Sequence, residues 1–313
     1  MFPYRQAEGE GTLRILITGG NGQLGRTLAP LLSTHGHEVT IVDQSAIESA
    51  HPTLIADIRN VDAMSRAVDG QDVVIHAAAL HGVHIGTTSE RHFIDVGVLG
   101  THNVLEAARA AQVTKVIYIS STSVYGISST QSRSKAIYVD EDTPLCPIDI
   151  NDVCKVMGEQ LCHYYRRNFQ VNASILRVGR FFQDDWVTFN LRKLSGGVDI
   201  RDVAQAVLLA VESQYTSEGT FCVAAQTSFT RADIPYLAEY ADDVIEQRYP
   251  GARVAFARIG RSLPKTVHRV VSIARATHQL HYRPQENFAE FLERLKYTGT
   301  GAPMSRFARL RQV

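Results

Sequence analysis

The chain has 313 residues, 44% hydrophobic and 20% charged, so it can bury a sizeable core and is not expected to be disordered. Its 32 basic and 32 acidic residues balance, so no net charge steers it toward nucleic acid or a membrane surface. The four cysteines form no CxxC pair, and no apolar run approaches the about 20 residues of a membrane helix. Met1–Gly11 lacks the apolar stretch of a signal peptide. The composition favours a cytoplasmic protein that acts on a small molecule, with no nucleic-acid or membrane partner.

Apolar, β-branched runs alternate with amphipathic stretches from Leu13 to Val178. The predicted strands, in chain order, are Leu13–Thr18, Val39–Asp43, Thr53–Ile58, Asp72–Ala77, Lys115–Ser121 and Ala173–Val178. The predicted helices are Asn21–Thr34, which follows a glycine turn, Val61–Val68, Phe93–Ala111 and Asn151–Asn168. Apolar strands separated by helices are typical of a parallel sheet covered on both faces. The first part of the chain is therefore predicted to be an α/β domain.

Beyond Val178 the pattern is looser. The predicted elements there are a helix over Val198–Glu212, short strands over Phe221–Val223 and Arg253–Ala257, and helices over Arg231–Tyr249 and Gln285–Tyr297. We expect residues 12–178 and 198–212 to form the sheet domain, residues 179–197 and 213–300 a smaller subdomain, and residues 1–11 and 301–313 tails. Ligands in open α/β sheets bind at the carboxyl ends of the strands.

A glycine-rich turn connects the first predicted strand to the first helix. Its three glycines follow a GxxGxxG spacing. Residues without a Cβ allow a tight turn, and they let a pyrophosphate approach the backbone N–H groups at a helix N-terminus. The third glycine lets helix and strand pack closely. The pattern predicts a dinucleotide site formed by Gly19, Asn21, Gly22, Gln23, Leu24 and Gly25.

Two acidic positions extend this predicted site. Asp43 ends the second strand, about 20 residues beyond the glycines, where a carboxylate accepts hydrogen bonds from the adenosine ribose and repels a 2′-phosphate. It predicts NAD as the cofactor in preference to NADP; the alternative is a solvent-facing turn residue. Asp57 and Ile58 follow the third strand and are candidates to contact the adenine. The alternative for Asp57 is an N-cap for the next helix.

Several motifs occur together in a characteristic order. They are Thr18–Gly25, Asp43, Asp57–Ile58, His76–Ala79, Gly100–Ala108, Ser120–Gly126 and Val198–Ala204. Together they resemble the extended short-chain dehydrogenases/reductases, and more narrowly the NAD-dependent epimerase/dehydratase family of sugar-nucleotide enzymes. The resemblance spans about residues 12–210. It implies a Rossmann-type, doubly wound parallel sheet with a smaller C-terminal α/β substrate subdomain, and a homodimer as a common state. It also implies that the backbone of Ala77, Ala78 and Ala79 lines the cofactor.

The resemblance also assigns the catalytic positions. Ser121, just before Tyr125, takes the role of the hydroxyl that binds the substrate oxygen, with Thr122 as a second candidate. Lys155 takes the role of the lysine that holds the nicotinamide ribose. The family's catalytic tyrosine, one helical turn before this lysine, is replaced by Asn151. An amide donates a hydrogen bond to a developing alkoxide, but it does not titrate near neutral pH.

Loss of one acid/base group typically costs about 10²–10⁴ in rate, so another group must supply the proton or the activity is low or absent. The candidate replacements are Asp149, Asp152, Tyr125, Tyr138, His81 and His84. The two histidines have a suitable ordinary pKa, but they lack a third ligand, so no metal site is predicted. Tyr138 lies in the insertion Ile127–Asp140, which we expect to lie in solvent in preference to folding over the pocket.

Two further departures concern the pocket. Family members usually carry an asparagine that positions the lysine shortly before Gly100, where this chain has Gly97. The stretch from Arg180 to Arg201 is shorter than in members that bind nucleoside diphosphates, which predicts a smaller pocket. The aromatic residues of this stretch either line an apolar pocket or form the core of the subdomain, and we favour the core. They are Phe181, Phe182, Trp186 and Phe189.

The leading hypothesis is an atypical NAD(H)-dependent oxidoreductase that moves a hydride to or from a carbinol or ketone carbon, with reduction favoured. Reduction needs one proton delivered to an alkoxide, whereas epimerisation needs a group that both takes and returns a proton. The alternatives are a non-catalytic NAD-binding sensor or scaffold protein, and a sugar-nucleotide epimerase with a relocated base.

Overall fold

The structure is a computed structural model that describes residues 11–46, 48–126, 135–182, 184–213 and 219–298. The predicted C-terminal tail, the predicted N-terminal tail up to residue 10, and residues 127–134 of the predicted insertion lie outside the described residues. Among the described helices, none combines the length and apolar character needed to cross a membrane.

Strands occur throughout the described chain. In chain order they are β1 (Arg14–Thr18), β2 (Glu38–Asp43), β3 (Thr53–Ile55), β4 (Val73–His76), β5 (Lys115–Ser121), β6 (Ile137–Val139), β7 (Ala173–Val178), β8 (Thr220–Val223) and β9 (Arg269–Val271).

Helices separate most of these strands. They are α1 (Gln23–Thr34), α2 (Val61–Val68), α3 (Glu90–Ile94), α4 (Thr101–Ala110), α5 (Ile150–Phe169), α6 (Trp186–Arg192), α7 (Ile200–Glu212), α8 (Ile234–Leu237), α9 (Ala241–Arg248), α10 (Ala252–Arg258), α11 (Ala274–Gln279) and α12 (Phe288–Thr298). A π-helical turn, Asp95–Gly100, joins α3 to α4.

Seven strands form one sheet in the order β3-β2-β1-β4-β5-β7-β8. The ladders from β3 to β5 are parallel, and Ile15 of β1 pairs with Val39 of β2 on one side and Val73 of β4 on the other. The strand order therefore reverses between β1 and β4. Such a reversal creates a crevice at the carboxyl ends of the two strands, where ligands of this fold bind. The predicted doubly wound, Rossmann-type α/β fold is confirmed.

The described chain divides into two compact units. The first unit comprises the described residues within 11–120, 149–176 and 206–220, and the second comprises the described residues within 121–148, 177–205 and 221–298. In the first unit, buried side chains of the strands, such as Leu16 and Val74, pack with side chains of α4 and α5, such as Leu105 and Cys162. Near-continuous burial of β1 and β4 explains why their sequences are apolar throughout.

The second unit has its own core, centred on the aromatic side chains of α10 and α12. Phe256, Phe288 and Phe291 are fully buried there. The predicted core role of the aromatic residues before α7 is confirmed for Trp186, which packs edge-on against Phe291, and for buried Phe189. Phe181 and Phe182 instead stack on each other and stay partly exposed.

Three predicted elements differ from the structure. Arg253–Ala257 was predicted as a strand but lies in α10, because Ala252, Ala255 and Phe256 are buried together at helical spacing. The single helix predicted over Arg231–Tyr249 is divided into a 3-10 turn, α8 and α9. The predicted helix Phe93–Ala111 is interrupted by the π-helical turn.

The expectation that the insertion Ile127–Asp140 lies in solvent was wrong for its described end. Ile137–Val139 forms β6, which pairs in parallel with β9, and Val139 is fully buried. This pairing joins segments that are distant in sequence, so no local pattern announces it. The first unit is the one that carries the predicted cofactor positions.

Candidate functional site

The glycine loop lies against the loop that follows β4. Gly19 has a φ of +73°, and a Cβ on it would lie 2.7 Å from the Cα and N atoms of Ala78. Glycine is thus required twice at this position, by the backbone conformation and by the neighbouring backbone. The Ala77 and Ala78 N–H groups donate to the Thr18 backbone oxygen and hydroxyl, at 3.2 and 3.3 Å. The structure therefore brings the predicted glycine loop and the predicted Ala77–Ala79 segment together.

The loop leads into α1 with an N-terminus suited to an anion. The N-cap is Gly22, which has no side chain and therefore provides no capping hydrogen bond to the helix. Gly22 and Gln23 are exposed, whereas Leu24 and Gly25 are buried. A Cβ on Gly25 would lie 2.5 Å from the Gly20 Cα, so α1 packs as closely on the loop as the sequence predicts. The free first-turn N–H groups and the helix dipole are the features that hold a pyrophosphate in such folds.

Asp43 ends β2 next to this loop. Its carboxylate accepts hydrogen bonds from the backbone N–H of Asn21 at 3.0 Å and from that of Ser45 at 3.1 Å. These bonds fix the carboxylate at the carboxyl end of β2 and orient the turn that contains Asn21. The arrangement differs from a free solvent-facing aspartate, and it places a negative charge beside the glycine loop.

Asp57 is engaged by a neighbouring arginine. It accepts from the Arg59 guanidinium at 2.6 Å and from the Arg59 N–H at 2.8 Å, and these hydrogen bonds lower the pKa of Asp57. The N-cap of α2 is Asn60, whose side chain accepts from the Ala63 N–H, so the N-cap alternative for Asp57 was wrong. Ile58 is 6% exposed and packs in the core of the first unit.

A small pocket opens beside the start of α5. Its described lining combines the segment after β4, the π-helical turn, β5 and α5, and consists of Ala78, Ala79, Leu80, Phe93, Gly97, Thr101, Tyr118, Asn151, Cys154 and Lys155. The structure therefore brings two predicted catalytic residues, Asn151 and Lys155, to the same pocket as two predicted cofactor residues, Ala78 and Ala79. The hydroxyls of Thr101 and Tyr118 and the thiol of Cys154 were not predicted as part of it.

Lys155 is held in this pocket by β5. Its ammonium donates to the Ile119 carbonyl at 2.7 Å and lies 5.3 Å from the centre of the Tyr118 ring. Lys155 is only 9% exposed, and its burial lowers its pKa to about 8, although the carboxylate of Glu159 one turn later opposes the shift. A lysine with this pKa exchanges its proton near neutral pH.

Asn151 lies one helical turn before Lys155 and shares its face of α5. The helix begins at this point because Asp149 is its N-cap: the Asp149 carboxylate accepts from the Asp152 N–H at 2.9 Å. Capping gives Asp149 a structural role, and Asp152 is buried at 2% exposure. Neither carboxylate is among the residues that line the described pocket.

A chain of buried hydrogen bonds connects Gly97 and Thr101, which line the pocket, to His76 and Thr18. The Thr101 hydroxyl donates to the Gly97 carbonyl at 2.7 Å, so it can only accept from His76 Nε2, 3.0 Å away. His76 Nδ1 then accepts from the Thr18 hydroxyl at 2.8 Å. Burial, followed by the charge of Lys155, lowers the pKa of His76 to about 3, so the imidazole is neutral. The sequence places His76 in a motif, but the buried hydroxyl partners that define its role come from distant segments, so no local pattern predicts this role.

Gly97 occupies the position at which members of the family usually carry an asparagine. It lies in the π-helical turn, and a Cβ on it would lie 2.8 Å from the Cβ of Cys154. Any side chain at residue 97 would therefore collide with α5. Burial raises the pKa of the Cys154 thiol to about 11, so the thiol stays protonated near neutral pH. π-helical turns of this kind are frequent at functional sites.

The remaining hydroxyl candidates belong to the second unit. Ser121 ends β5 and its side chain accepts from the Ser123 N–H at 3.1 Å, while Thr122 is buried at 2% exposure. The Tyr125 hydroxyl accepts from Arg177 at 2.8 Å and lies 3.2 Å from the Cys222 sulfur. Burial raises the pKa of Tyr125 far above its usual value, which argues against Tyr125 as a relocated base.

The histidine pair and Tyr138 do not line the pocket. His81 and His84 flank a 3-10 turn, where the His81 N–H donates to His84 Nδ1 at 3.0 Å. Burial, with smaller contributions from Lys155 and His84, lowers the pKa of His81 to about 4. Tyr138 lies on β6, with the Arg231 guanidinium 4.2 Å from its ring centre. None of the three is among the residues that line the described pocket.

Within the described residues, no three His, Cys, Asp or Glu side chains converge as metal ligands. The first unit does combine the features that a dinucleotide needs. These are an uncapped helix N-terminus beside a glycine loop with no room for side chains, a carboxylate fixed at the end of β2, and a buried lysine beside the segment after β4. The residues present therefore fit the cofactor.

Comparison with known proteins agrees with this geometry. The chain is 26% identical over 288 residues to L-arabinose 1-dehydrogenase (NAD(P)(+)) of Haloferax volcanii, a match that covers 90% of this chain and 99% of that enzyme. It is 25% identical over 220 residues to uronate dehydrogenase of Pseudomonas syringae pv. tomato, covering 65% of this chain and 76% of that enzyme.

Solved structures show the same fold. A short-chain dehydrogenase/reductase superfamily protein from Agrobacterium tumefaciens with bound NAD superposes with a TM-score of 0.69 at 23% identity, covering 95% of this chain and 98% of that protein. UDP-glucuronic acid 4-epimerase from Bacillus cereus in complex with NAD gives a TM-score of 0.64 at 22% identity, covering 90% and 96%. The model of the NAD dependent epimerase/dehydratase family matches residues 15–183. Because that match spans more than half of the chain and contains the glycine loop, Asp43 and the Asn151–Lys155 turn, the protein belongs to this family.

Proposed function

We propose that the protein is an NAD(H)-dependent oxidoreductase that transfers a hydride between nicotinamide C4 and a carbinol or ketone carbon of a sugar-like small molecule. Reduction is the favoured direction. The observation that carries the proposal is the pocket beside α5, in which Asn151 and Lys155 face the segment after β4. L-arabinose 1-dehydrogenase and uronate dehydrogenase, two of the relatives, act by their names on a small sugar and on sugar acids.

Each element of the site has a chemical role in this proposal. The N-terminus of α1 binds the pyrophosphate, and Asp43 binds the adenosine ribose. When bound, the nicotinamide supplies or accepts the hydride. The Asn151 amide donates a hydrogen bond to the reacting oxygen, and Ser121 is the second proposed donor. Lys155 binds the nicotinamide ribose and stabilises negative charge. Residues 179–197 and 213–300 are proposed to provide the substrate subdomain.

The test is isotope transfer from NADH deuterated at C4. Both 4R and 4S forms are incubated with a panel of ketoses, sugar lactones and keto acids, and the products are analysed by mass spectrometry. Deuterium on a product carbon, from one of the two forms only, supports the proposal. NADH binding without transfer to any compound would instead favour the second candidate, a non-catalytic NAD sensor. The observation behind that candidate is the absence of a titrating side chain at residue 151.

A sugar-nucleotide epimerase is a third candidate, because UDP-sugar epimerases share the fold. A ligand that binds the native state raises the melting temperature. Stabilisation by UDP- or dTDP-sugars in the presence of NAD, but not by free sugars, would favour this candidate over the reductase.

Replacing Asp43 tests the cofactor preference. Asp43→Ala removes the charge that is fixed by the N–H groups of Asn21 and Ser45. Hydrogen bonds to charged groups contribute about 1.5–3 kcal/mol, so we expect the Kd for NADH to rise about 10- to 100-fold. The discrimination against NADPH should fall as well. Fluorescence titration with both nucleotides measures the effect.

Asp69→Ala is the matched control, since Asp69 is an exposed aspartate at the end of α2. It should leave both affinities unchanged. Equal NADH affinity in Asp43→Ala and the wild type would show that Asp43 does not contact the nucleotide.

We also propose that the protein forms a homodimer through α5. Val153, Met157 and Tyr164 are exposed apolar residues at helical spacing, so they form a stripe on one face of this helix. A charge placed in the centre of an apolar contact is not compensated, so Met157→Asp should shift the protein toward the monomer. Light scattering coupled to size-exclusion chromatography reports the mass.

Val254→Asp is the control, because Val254 is a similarly exposed apolar residue on α10. It should have the mass of the wild type. A wild-type mass of one chain at micromolar concentrations would overturn the dimer proposal.

A further inference from the structure

We propose that Lys155 is the catalytic acid of the reduction, donating its ammonium proton to the substrate oxygen beside Asn151. The inference rests on the proposed function and adds the source of the proton. Lys155 lines the pocket together with Asn151, one helical turn away on the same face of α5. The inference therefore places the Lys155 ammonium beside the reacting oxygen, in the pocket that both residues line.

The other titratable groups in the described lining of the pocket are Tyr118 and Cys154. Burial raises the pKa of the Tyr118 hydroxyl well above its usual value and that of the Cys154 thiol to about 11. Both groups therefore hold their protons at the pH at which a cellular enzyme works. Lys155, with a pKa lowered to about 8 by burial, both gives up and regains a proton in that range.

The position of the ammonium is fixed from β5. One N–H bond of Lys155 donates to the Ile119 carbonyl at 2.7 Å, and the Tyr118 ring lies beneath the cation at 5.3 Å. A lysine ammonium has three donors, so two remain for the nicotinamide ribose and the substrate oxygen. A lysine fixed in this way can hold the ribose, as the family role requires, and also serve the substrate.

The titratable groups around Lys155 do not change their protonation state near neutral pH, so Lys155 is the group that titrates there. On α5 itself, Glu159 favours the charged lysine, and the Cys162 thiol is protonated because burial raises its pKa. From β4, His76 is neutral because its pKa is about 3. From the loop after β4, His81 is neutral above its pKa of about 4. The carboxylate of Glu159 is itself held by the Ser120 hydroxyl at 2.5 Å.

The proton and electron balance is complete. Bound NADH would supply a hydride, that is two electrons and one proton, to the carbonyl carbon, and the carbonyl oxygen would become an alkoxide. The alkoxide takes a proton from the Lys155 ammonium, which gives an alcohol, a neutral amine and NAD⁺. The amine then regains a proton from solvent. In the oxidative direction the neutral amine accepts the alcohol proton.

The pH dependence follows from this balance. Reduction needs the ammonium, so its kcat/KM should be constant at low pH and fall as the pH rises through about 8. Oxidation needs the amine, so its rate should rise through the same pH and then level off. The test measures both profiles, with NADH affinity measured in parallel, for the wild type and Lys155→Arg. Arginine keeps the positive charge but does not deprotonate in this range.

We expect Lys155→Arg to bind NADH within about tenfold of the wild type and to lose about 10²–10⁴ in kcat, with the transition near pH 8 absent. Lys265→Arg is the matched control, because Lys265 is an exposed lysine paired with Asp242, and it should keep the wild-type profile. Lys155→Ala supplies a second readout, since small primary amines should restore activity to it in proportion to their ammonium concentration.

Three results would overturn the inference. They are a wild-type profile that is flat from pH 6.5 to pH 9.5, an Lys155→Arg variant that keeps both the rate and the transition, and an Lys155→Ala variant that binds NADH but is not rescued by amines. The wild-type profile decides the matter even where a variant fails to fold. Failure of the proposed function looks different, because the wild type would then bind NADH and transfer no deuterium to any substrate.

Discussion

The Gly25→Val variant is expected to lose about 10- to 100-fold in NADH affinity while keeping its secondary structure. A Cβ at residue 25 would lie 2.5 Å from the Gly20 Cα, 2.7 Å from the Gly20 oxygen and 2.8 Å from the Gly19 oxygen. All three are backbone atoms, so no side chain can rotate away and α1 must move from the loop. Binding the pyrophosphate would require α1 to return to its original place against the loop, and overpacking of this kind costs about 1–3 kcal/mol. Every 1.4 kcal/mol corresponds to a tenfold change in Kd.

Calorimetric titration with NADH measures this effect, and circular dichroism verifies the fold. Gly11→Ala is the control, since a Cβ on Gly11 has no atom within 4 Å. It should bind NADH as the wild type does. A folded Gly25→Val protein with unchanged affinity would show that the nucleotide does not bind at the N-terminus of α1.

Removing the amide at residue 151 should lower the rate and leave cofactor binding intact. Asn151→Ala removes the proposed hydrogen bond to the alkoxide, and loss of one such donor costs about 10²–10³ in kcat. The effect should appear in kcat and kcat/KM together, because the bond strengthens only as charge develops on the oxygen. NADH affinity should change by less than about threefold, since the amide serves the substrate.

Two larger side chains at the same position separate the effect of a hydroxyl from that of a ring. Asn151→Tyr introduces a phenol one helical turn from Lys155, whereas Asn151→Phe introduces the ring alone. Because the phenol restores a hydrogen-bond donor to the reacting oxygen, which is worth about 10²–10³ in rate, the tyrosine variant should exceed the phenylalanine variant by about 10². Equal rates in the two variants, or wild-type kcat in Asn151→Ala, would remove residue 151 from the reacting centre.

The parts of the fold that the sequence predicted well depend on local patterns. The bounds of α2, β5 and β7 agree with the prediction, because apolar periodicity and flanking turn residues lie within each segment. The π-helical turn was not predicted, since it accompanies the packing of Gly97 against Cys154 from a distant helix. The pairing of β6 with β9 was missed for the same reason.

In the candidate site, too, the residues that were predicted are those that a local pattern indicates. Gly19, Gly22 and Gly25 were predicted because the spacing of a single loop encodes the turn. Asn151 and Lys155 were placed on one face because helical geometry sets that relation. The buried chain from Thr18 through His76 and Thr101 to Gly97 joins three separate segments, and only the structure shows it.

A crystal structure of the protein soaked with saturating NADH tests the central claim most directly. It should show the pyrophosphate against the N–H groups of Gln23 and Leu24, the adenosine ribose on Asp43, and the nicotinamide beside Lys155 with C4 facing Asn151. A nucleotide bound at any other place, or crystals that take up neither NADH nor NADPH, would contradict the account.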